Sequence, residues 1–449
     1  MSIKDTGYLD YFGVRCVYIQ EDMNYILVPT DERNNIMRHN KEKNYVIPFS
    51  ATAAPNSAVS VKRQMLSDIN NIHLELNYIL KSNTAEKFNG FIMVGNEIDQ
   101  FFSPLEFYFR KHLKHETPQL DLLFGEERIK QYGFICDDKK VNVELVYGNL
   151  LREGTRSDLV LHPQLIVTFE ETRDTDFIFH VSKTLVTMLQ FVHRKQNYNI
   201  KNLELFRYTD SGISFCGYMF SSLYRADLKP AAKIDASFLY YGENLGALLT
   251  LIASEPEFSV KHLSQERSND FTYSTERLGD VSSAFEYEYK KNSLYSQNSE
   301  IDAPRTRNAI VDFLNNMEEE EPGSKKFIEM AISRISDLGK QPGLRQKIVN
   351  AYNANSRALD SSIQNLLFYN SGSIEKAASI FSNLRGKVLH NGTNYEFNDV
   401  ESECIRFVNV LQFVMVLKRA QYSDHAIEKI IGRAFFCNNS AFEEFTDEG

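Results

Sequence analysis

The five cysteines of this 449-residue chain, at positions 16, 136, 216, 404 and 437, form no CxxC pair and no zinc-ligand spacing. The sequence therefore shows no disulfide framework and no cysteine-paired metal motif, and it fits buried thiols in a reducing cytosol. An excess of basic charge is missing too: 50 Lys and Arg against 60 Asp and Glu leave a formal charge of −10. No global basic field draws nucleic acid to the surface, so any RNA contact must be local. That suits an enzyme making transient contact better than a coating protein. Long apolar runs are absent; stretches such as Phe407 to Leu417 are broken by polar residues and are too short for a bilayer. Met1 to Asp10 is too polar for a signal peptide. These absences predict a cytoplasmic protein with no membrane partner. Gly-rich phosphate loops, a GxSxG elbow and an HExxH helix are also missing. There is no internal repeat, and the acid run Glu318 to Glu321 reads as a solvated helix end.

What is present is ample apolar material, 43% of residues with 32 Phe and 23 Tyr, enough for two or three cores. The first half alternates with period two. Ile72, Leu74, Leu76, Tyr78 and Leu80 lead through Asn83 to Gly90 into Phe91-Ile92-Met93-Val94, as a hairpin would. Val141, Val143 and Leu145 alternate, then Leu165, Val167 and Phe169, then Phe177, Phe179 and Val181. A second hairpin is predicted from Leu203 and Leu205 through Thr209-Asp210-Ser211-Gly212 to Ile213, Phe215 and Gly217. One helix, near Ser182 to Lys195, interrupts the strands.

After Lys229-Pro230 the period becomes helical. Helices are predicted over Ala236 to Ser254, Ser274 to Lys291, Arg305 to Glu318, Lys325 to Leu338, Gly343 to Ala354, Ser361 to Tyr369, a helix from Ser373, Asp399 to Ala420, and Asp424 to Phe436. Pro304, Pro322 and Pro342 fall between or at the start of these segments, where Pro is tolerated. The fold class is α+β: a β-rich, sandwich-like domain over 1–230 and an all-α bundle over 236–449.

The stretch Ser373 to Asn398 places Ile374, Ala377, Ala378, Phe381, Leu384, Val388 and Leu389 at three- and four-residue steps, one buried helix face. Asn391-Gly392 then ends the helix and puts His390 in its last turn. Arg385 lies just over one turn earlier. A guanidinium fits phosphate oxygens and an imidazole takes a proton near neutral pH, so the pair suggests chemistry on a phosphodiester. The spacing recurs at Arg33/His39, Arg110/His115, Arg156/His162, Arg173/His180 and Arg419/His425. Only Arg385/His390 falls inside one amphipathic helix. A plainer role remains open, in which both cations complement the helix dipole and its last carbonyls. Five residues at about 100° each also set the two side chains roughly 140° apart, so convergence needs the reach of Arg or a second chain. Gly386 costs about 1 kcal/mol against Ala within a helix, tolerable if a backbone or partner helix approaches there. The cluster Arg110-Lys111-His112-Leu113-Lys114-His115-Glu116 is read as a solvated loop or helix face rather than a metal or phosphate site, because no further ligand accompanies its histidines. Asn391-Gly392-Thr393 matches a glycosylation acceptor that is idle in a cytosolic chain.

LRGKVLHNG (Leu384 to Gly392) resembles the R-x4-6-H signature of HEPN domains, and more closely that of the ApeA-like subgroup. The order of parts over Ala236 to Phe436 is similar: an aromatic-rich helix (Phe238 to Ile252), a helix carrying Phe285-Glu286-Tyr287, the Arg/His helix, and an apolar helix ending in Lys418-Arg419. A β-rich region ahead of the helices also resembles that layout. Gly386 departs from it, because the family commonly carries Asn or another polar residue there. The resemblance implies a metal-independent endoribonuclease that needs no cofactor, in which two HEPN domains of a homodimer face their motifs into one cleft. His390 would deprotonate the ribose 2′-hydroxyl and Arg385 would stabilise the transition-state charge, with Lys387 and Asn391 as substrate contacts. Cellular RNA, tRNA among the candidates, would be the substrate. Abortive anti-phage defence would be the setting, with a phage-derived or regulatory ligand read by the β-rich part. The alternative is a catalytically silent HEPN binding module, in which Gly386 marks decay and the β-rich domain recognises the ligand.

Overall fold

The computed structural model describes residues 4–30, 45–51, 54–66, 72–82, 87–102, 130–150, 160–198, 200–210, 212–221, 223, 241–266, 269, 272–292, 304–320, 325–337, 342–366, 373–391 and 395–435. The chain divides into two compact units, Met1–Val260 and Lys261–Gly449. The first is an antiparallel β-sheet with helices on it and the second is helical, so the α+β class holds. The division falls C-terminal to the change in composition at Lys229-Pro230. Among the described residues no helix is long and apolar enough to cross a membrane.

The first unit contains β1 (Lys4–Tyr11), β2 (Val14–Glu21), β3 (Asn24–Pro29), β4 (Tyr45–Ala51), β5 (Ala54–Leu66), β6 (Ile72–Ser82), β7 (Phe88–Gly95), β8 (Lys130–Cys136), β9 (Lys139–Leu150), β10 (Val160–Thr172), β11 (Ile200–Thr209) and β12 (Gly212–Ser221). Its helices are α1 (Asn96–Phe101), α2 (Thr175–His193) and α3 (Leu245–Ser254). The strands form one continuous sheet in the order β1-β2-β3-β6-β12-β11-β7-β10-β9-β8, with β5 on the other side of β6 and β4 on β5. Strand β6 is where two halves of the sheet join. Its first residues pair β3 and its last pair β12, while β5 runs along its opposite edge.

A bulge in β6 lies at that junction. Ser60 opposes Tyr78 while Val61 opposes Leu76, so Asn77 is an extra residue and the inward parity changes. Ile72, Leu74 and Leu76 before it, and Ile79 after it, lie in the core enclosed by β1 to β6. Tyr78 turns to the other face, where its hydroxyl lies 2.7 Å from Thr175 Oγ1 and donates to Asp176 Oδ1 at 2.9 Å, at the start of α2.

The expected hairpin over Ile72 to Val94 is not formed. Strands β6 and β7 are separated by β12 and β11, and this later hairpin is itself formed as expected through the Thr209 to Gly212 turn. Glycines let the inserted strands close up: a Cβ at Gly217 would collide with the Lys81 carbonyl on β6, and one at Gly90 with the Phe206 ring on β11. Phe177, Phe179 and Val181 belong to α2 rather than to a strand. Asp174 caps that helix by accepting from Phe177 N at 2.9 Å, and the buried set Phe177, Ile178, Val181, Leu185, Leu189 and Val192 follows the helical period. Helix α3 packs on α2 and β8, so it belongs with the sheet and not with the bundle.

The second unit contains α4 (Thr275–Lys291), α5 (Pro304–Glu320), α6 (Lys325–Asp337), α7 (Leu344–Leu366), α8 (Ile374–Asn391), α9 (Asp399–Arg419) and α10 (Asp424–Phe435). The predicted helices Gly343 to Ala354 and Ser361 to Tyr369 are one continuous helix as far as Leu366. The polar gap between them continues the buried face: Asn355 is buried and donates to the Ala351 carbonyl at 2.7 Å, beside buried Ala358 and Leu359. Helix α9 is buried from Phe407 to Leu417 without a break and packs on α4, α7, α8 and α10. Arg277, near the start of α4, holds the preceding segment by donating to the carbonyls of His262, Asn269 and Thr272 at 3.2, 3.1 and 2.8 Å.

In the first unit Lys195 Nζ meets Glu97 Oε1 at 2.9 Å with both side chains below 5% exposed (3% and 4%). Lys195→Met removes the cation from a buried carboxylate and should cost about 3–5 kcal/mol in urea unfolding, whereas the Glu97→Gln/Lys195→Met double variant should recover much of that loss. A single variant as stable as the unchanged chain would show that the pair carries no such weight.

Candidate functional site

Helix α8 is built as its sequence predicts. Ser373 Oγ accepts from Lys376 N at 3.3 Å at its start, and Ala377, Ala378, Phe381, Leu384 and Val388 are buried along one face. The helix runs to Asn391, so His390 occupies its final turn. The side chains of His390 and Asn391 lie outside the described residues. Arg385 and His390 are separated by about 7.5 Å of helix rise and roughly 140° of rotation.

Arg385 stands at the margin of the bundle, 37% exposed. Its Nη2 is 3.8 Å from Glu286 Oε1 on α4, a long ion pair, and its Nε is buried without a hydrogen-bond partner among the described residues. Two positions along α4, Glu288 is only 1% exposed and binds Arg419 Nη1 at 2.6 Å. The two carboxylates therefore play unequal parts. A buried pair costs about 3–5 kcal/mol to break from one side, and a half-exposed contact like that of Arg385 is worth about 0–1 kcal/mol. Arg385 is thus weakly held, with donors left over for an anion.

Lys387 is exposed and not idle. Its ammonium donates to the Tyr395 hydroxyl at 3.3 Å and stands 4.8 Å from that ring's centre. The Tyr395 hydroxyl donates to Glu401 Oε1 at 2.8 Å, and Glu401 forms a capping box with Asn398 at the start of α9. The Asn398-x-x-Glu401 box was legible as a helix start, but nothing local in the sequence linked Tyr395 to Lys387. Beside it an open recess of about 530 Å³, lined by Ile380, Asn398, Asp399, Val400 and Glu401, carries an acidic rim that disfavours phosphate.

Gly386 is exposed, and a Cβ there would meet no described atom within 4 Å. No close approach among the described residues explains it. Of the other Arg/His spacings, Arg173 precedes α2 whereas His180 lies within it, and Arg419 ends α9 whereas His425 lies in α10. Arg33, His39, Arg156 and the whole cluster Arg110 to Glu116 lie outside the described residues. Among the described residues one trio of metal-ligating side chains comes together, Cys136, Asp137 and His180 in the first unit. No protein-family model, curated protein or solved structure matches the chain, so the site is judged on its own geometry.

Proposed function

We propose that the helical unit is a metal-independent endoribonuclease of HEPN type, acting as a homodimer with Arg385 and His390 at its centre. The observation that carries this is the weakly held, partly exposed Arg385 guanidinium, whose Nε has no hydrogen-bond partner among the described residues, on the same helix whose last turn holds His390. The resemblance of Leu384 to Gly392 to the R-x4-6-H signature gives the pair its reaction. His390 takes the proton of a ribose 2′-hydroxyl, and the resulting oxygen attacks the adjacent phosphorus. Charge gathers on the non-bridging oxygens, where Arg385 donates to them, and the 5′-oxygen leaves with a proton from solvent or from the facing copy's imidazole. The products are a 2′,3′-cyclic phosphate and a 5′-hydroxyl, so DNA is inert. Lys387 keeps two further ammonium protons beyond the one given to Tyr395, enough to contact a neighbouring phosphate. Asn391 is assigned the second substrate contact on the resemblance alone. Cellular RNA, tRNA included, is the proposed substrate, anti-phage abortive infection the proposed role, and the sheet unit the proposed reader of the trigger.

A binding-module reading draws support from the Arg385–Glu286 contact, which a purely structural arginine would also make. Expression of the unchanged chain beside Arg385→Ala, His390→Ala and the double variant separates the two. Catalysis predicts loss of most RNA cleavage in each single variant and little further loss in the double, because residues acting as one unit are non-additive. Helix-end roles alone predict about 0.5–2 kcal/mol of lost stability with cleavage per folded molecule unchanged. Well-folded His390→Ala protein that cuts RNA at the original rate would end the catalytic assignment.

Cleavage should persist in excess chelator, since neither proposed role calls on a metal ion. Activity lost on chelation and restored by a divalent ion would move the chemistry elsewhere. The open space at Gly386 bears on the dimer. Gly386→Ala should raise stability by up to about 1 kcal/mol, whereas Gly386→Phe should leave the monomer folded and abolish both self-association in sedimentation and RNA cleavage. A Gly386→Phe chain that still pairs and still cuts would remove this face from the interface.

A further inference from the structure

Where hairpin β8–β9 meets helix α2, a thiol, a carboxylate and an imidazole converge in the sheet unit. Cys136 ends β8, and Asp137 and Asp138 form the two-residue turn, with φ of 48° and 60°. His180 projects from α2. One ligand atom from each of Cys136, Asp137 and His180 lies within 4.8 Å of the others, and His180 Nδ1 is 2.9 and 3.1 Å from the two Asp137 oxygens. The thiol is buried, while Asp137 and His180 are 50% and 30% exposed, so the group opens to water on one side.

We propose that Cys136, Asp137 and His180 form a mononuclear binding site for a divalent transition ion of the zinc type, with the remaining coordination position open to water. One thiolate, one imidazole and one carboxylate form a donor set of mixed softness that suits zinc and is foreign to magnesium or calcium. Tetrahedral zinc, with bonds of about 2.0–2.3 Å, sets its donor atoms about 3.3–3.7 Å apart. The His180 to Asp137 separations of 2.9 and 3.1 Å fall slightly inside that value and all three ligand atoms lie within 4.8 Å of one another, so small side-chain rotations close the site. A dication with a thiolate, a carboxylate and a neutral ring sums to zero charge. Lys139, whose ammonium stands 4.4 Å from the centre of the Phe177 ring, then faces no net cation.

Burial, with the Asp137 carboxylate adding to it, pushes the Cys136 thiol up to about 12, while Thr184 and Lys139 oppose the shift. The incoming ion displaces that proton to solvent. Affinity therefore falls as the pH is lowered, by about tenfold per unit for each proton released. The bound ion would tie the β8–β9 turn to α2. This site is independent of the ribonuclease reading, and its test uses no RNA.

The full-length chain, stripped with chelator, is titrated with cobalt(II). The expected result is one equivalent bound, a thiolate-to-cobalt charge-transfer band in the near ultraviolet, and displacement by zinc(II). Cys136→Ser should abolish the band. Asp137→Asn and His180→Gln change partly exposed side chains, so they keep the fold by circular dichroism, and each should weaken zinc(II) by about 100-fold or more. Cys404→Ser, in the other unit, should leave the band in place. Zinc(II) should raise the melting temperature of the unchanged chain and not that of Cys136→Ser. No thiolate band in the unchanged chain, or a band and affinity that survive both Cys136→Ser and His180→Gln, would overturn the proposal.

Discussion

The run from Phe407 to Leu417 is buried at every residue, Asn409 and Gln412 included, and a helical stretch buried all round must be enclosed on all sides. That requirement organises the second unit. Helices α4, α7, α8 and α10 each lay an apolar face on α9 and leave their polar faces outward. Phe381, Leu384 and Val388 are the inward residues of α8, so Arg385 and Gly386 are left at and beyond the margin of contact. The proposed chemistry thus sits on the residues that the packing of α9 does not consume. A rigid interior with a lightly held guanidinium at its edge is a workable way to position a group that must bind phosphate and release it.

Magnitudes separate the roles of the acidic residues on α4. Glu288 lies against α9 and its bond to Arg419 is nearly closed to water, so it belongs to the framework. Glu286, 24% exposed and 3.8 Å from Arg385, can steer the guanidinium without immobilising it. Tyr395 and Glu401 hold Lys387 in a comparable way at the start of α9. Among the described residues, the cations proposed to meet RNA are only lightly tethered, which fits local contact by a chain of net negative charge.

The sheet unit obeys a different constraint. Strand β6 serves two halves of one sheet, and a single extra residue at Asn77 turns Tyr78 toward α2 while Ile79 stays in the other core. Tyr78 thereby reaches the start of α2, and β12 pairs with the residues of β6 that follow the extra one. From the same helix His180 reaches Asp137 in the β8–β9 turn.

Short-range signals were largely legible in the sequence. Helix α8, its buried face, its end at Asn391 and the hairpin over Thr209 to Gly212 rest on contacts within a few residues, and those are written in spacing, caps and turn residues. The same locality misled at Phe177 to Val181, where alternation concealed a helix begun by Asp174, and at the polar gap before Ser361, which is an uninterrupted turn of α7. Tertiary structure alone decided the order of the strands, the pairing of Arg385 with Glu286 and of Arg419 with Glu288, and the meeting of Asp137 with His180 across 43 residues. These depend on which distant surfaces can bury apolar area together. That balance is struck over the whole chain, and no window of sequence contains it.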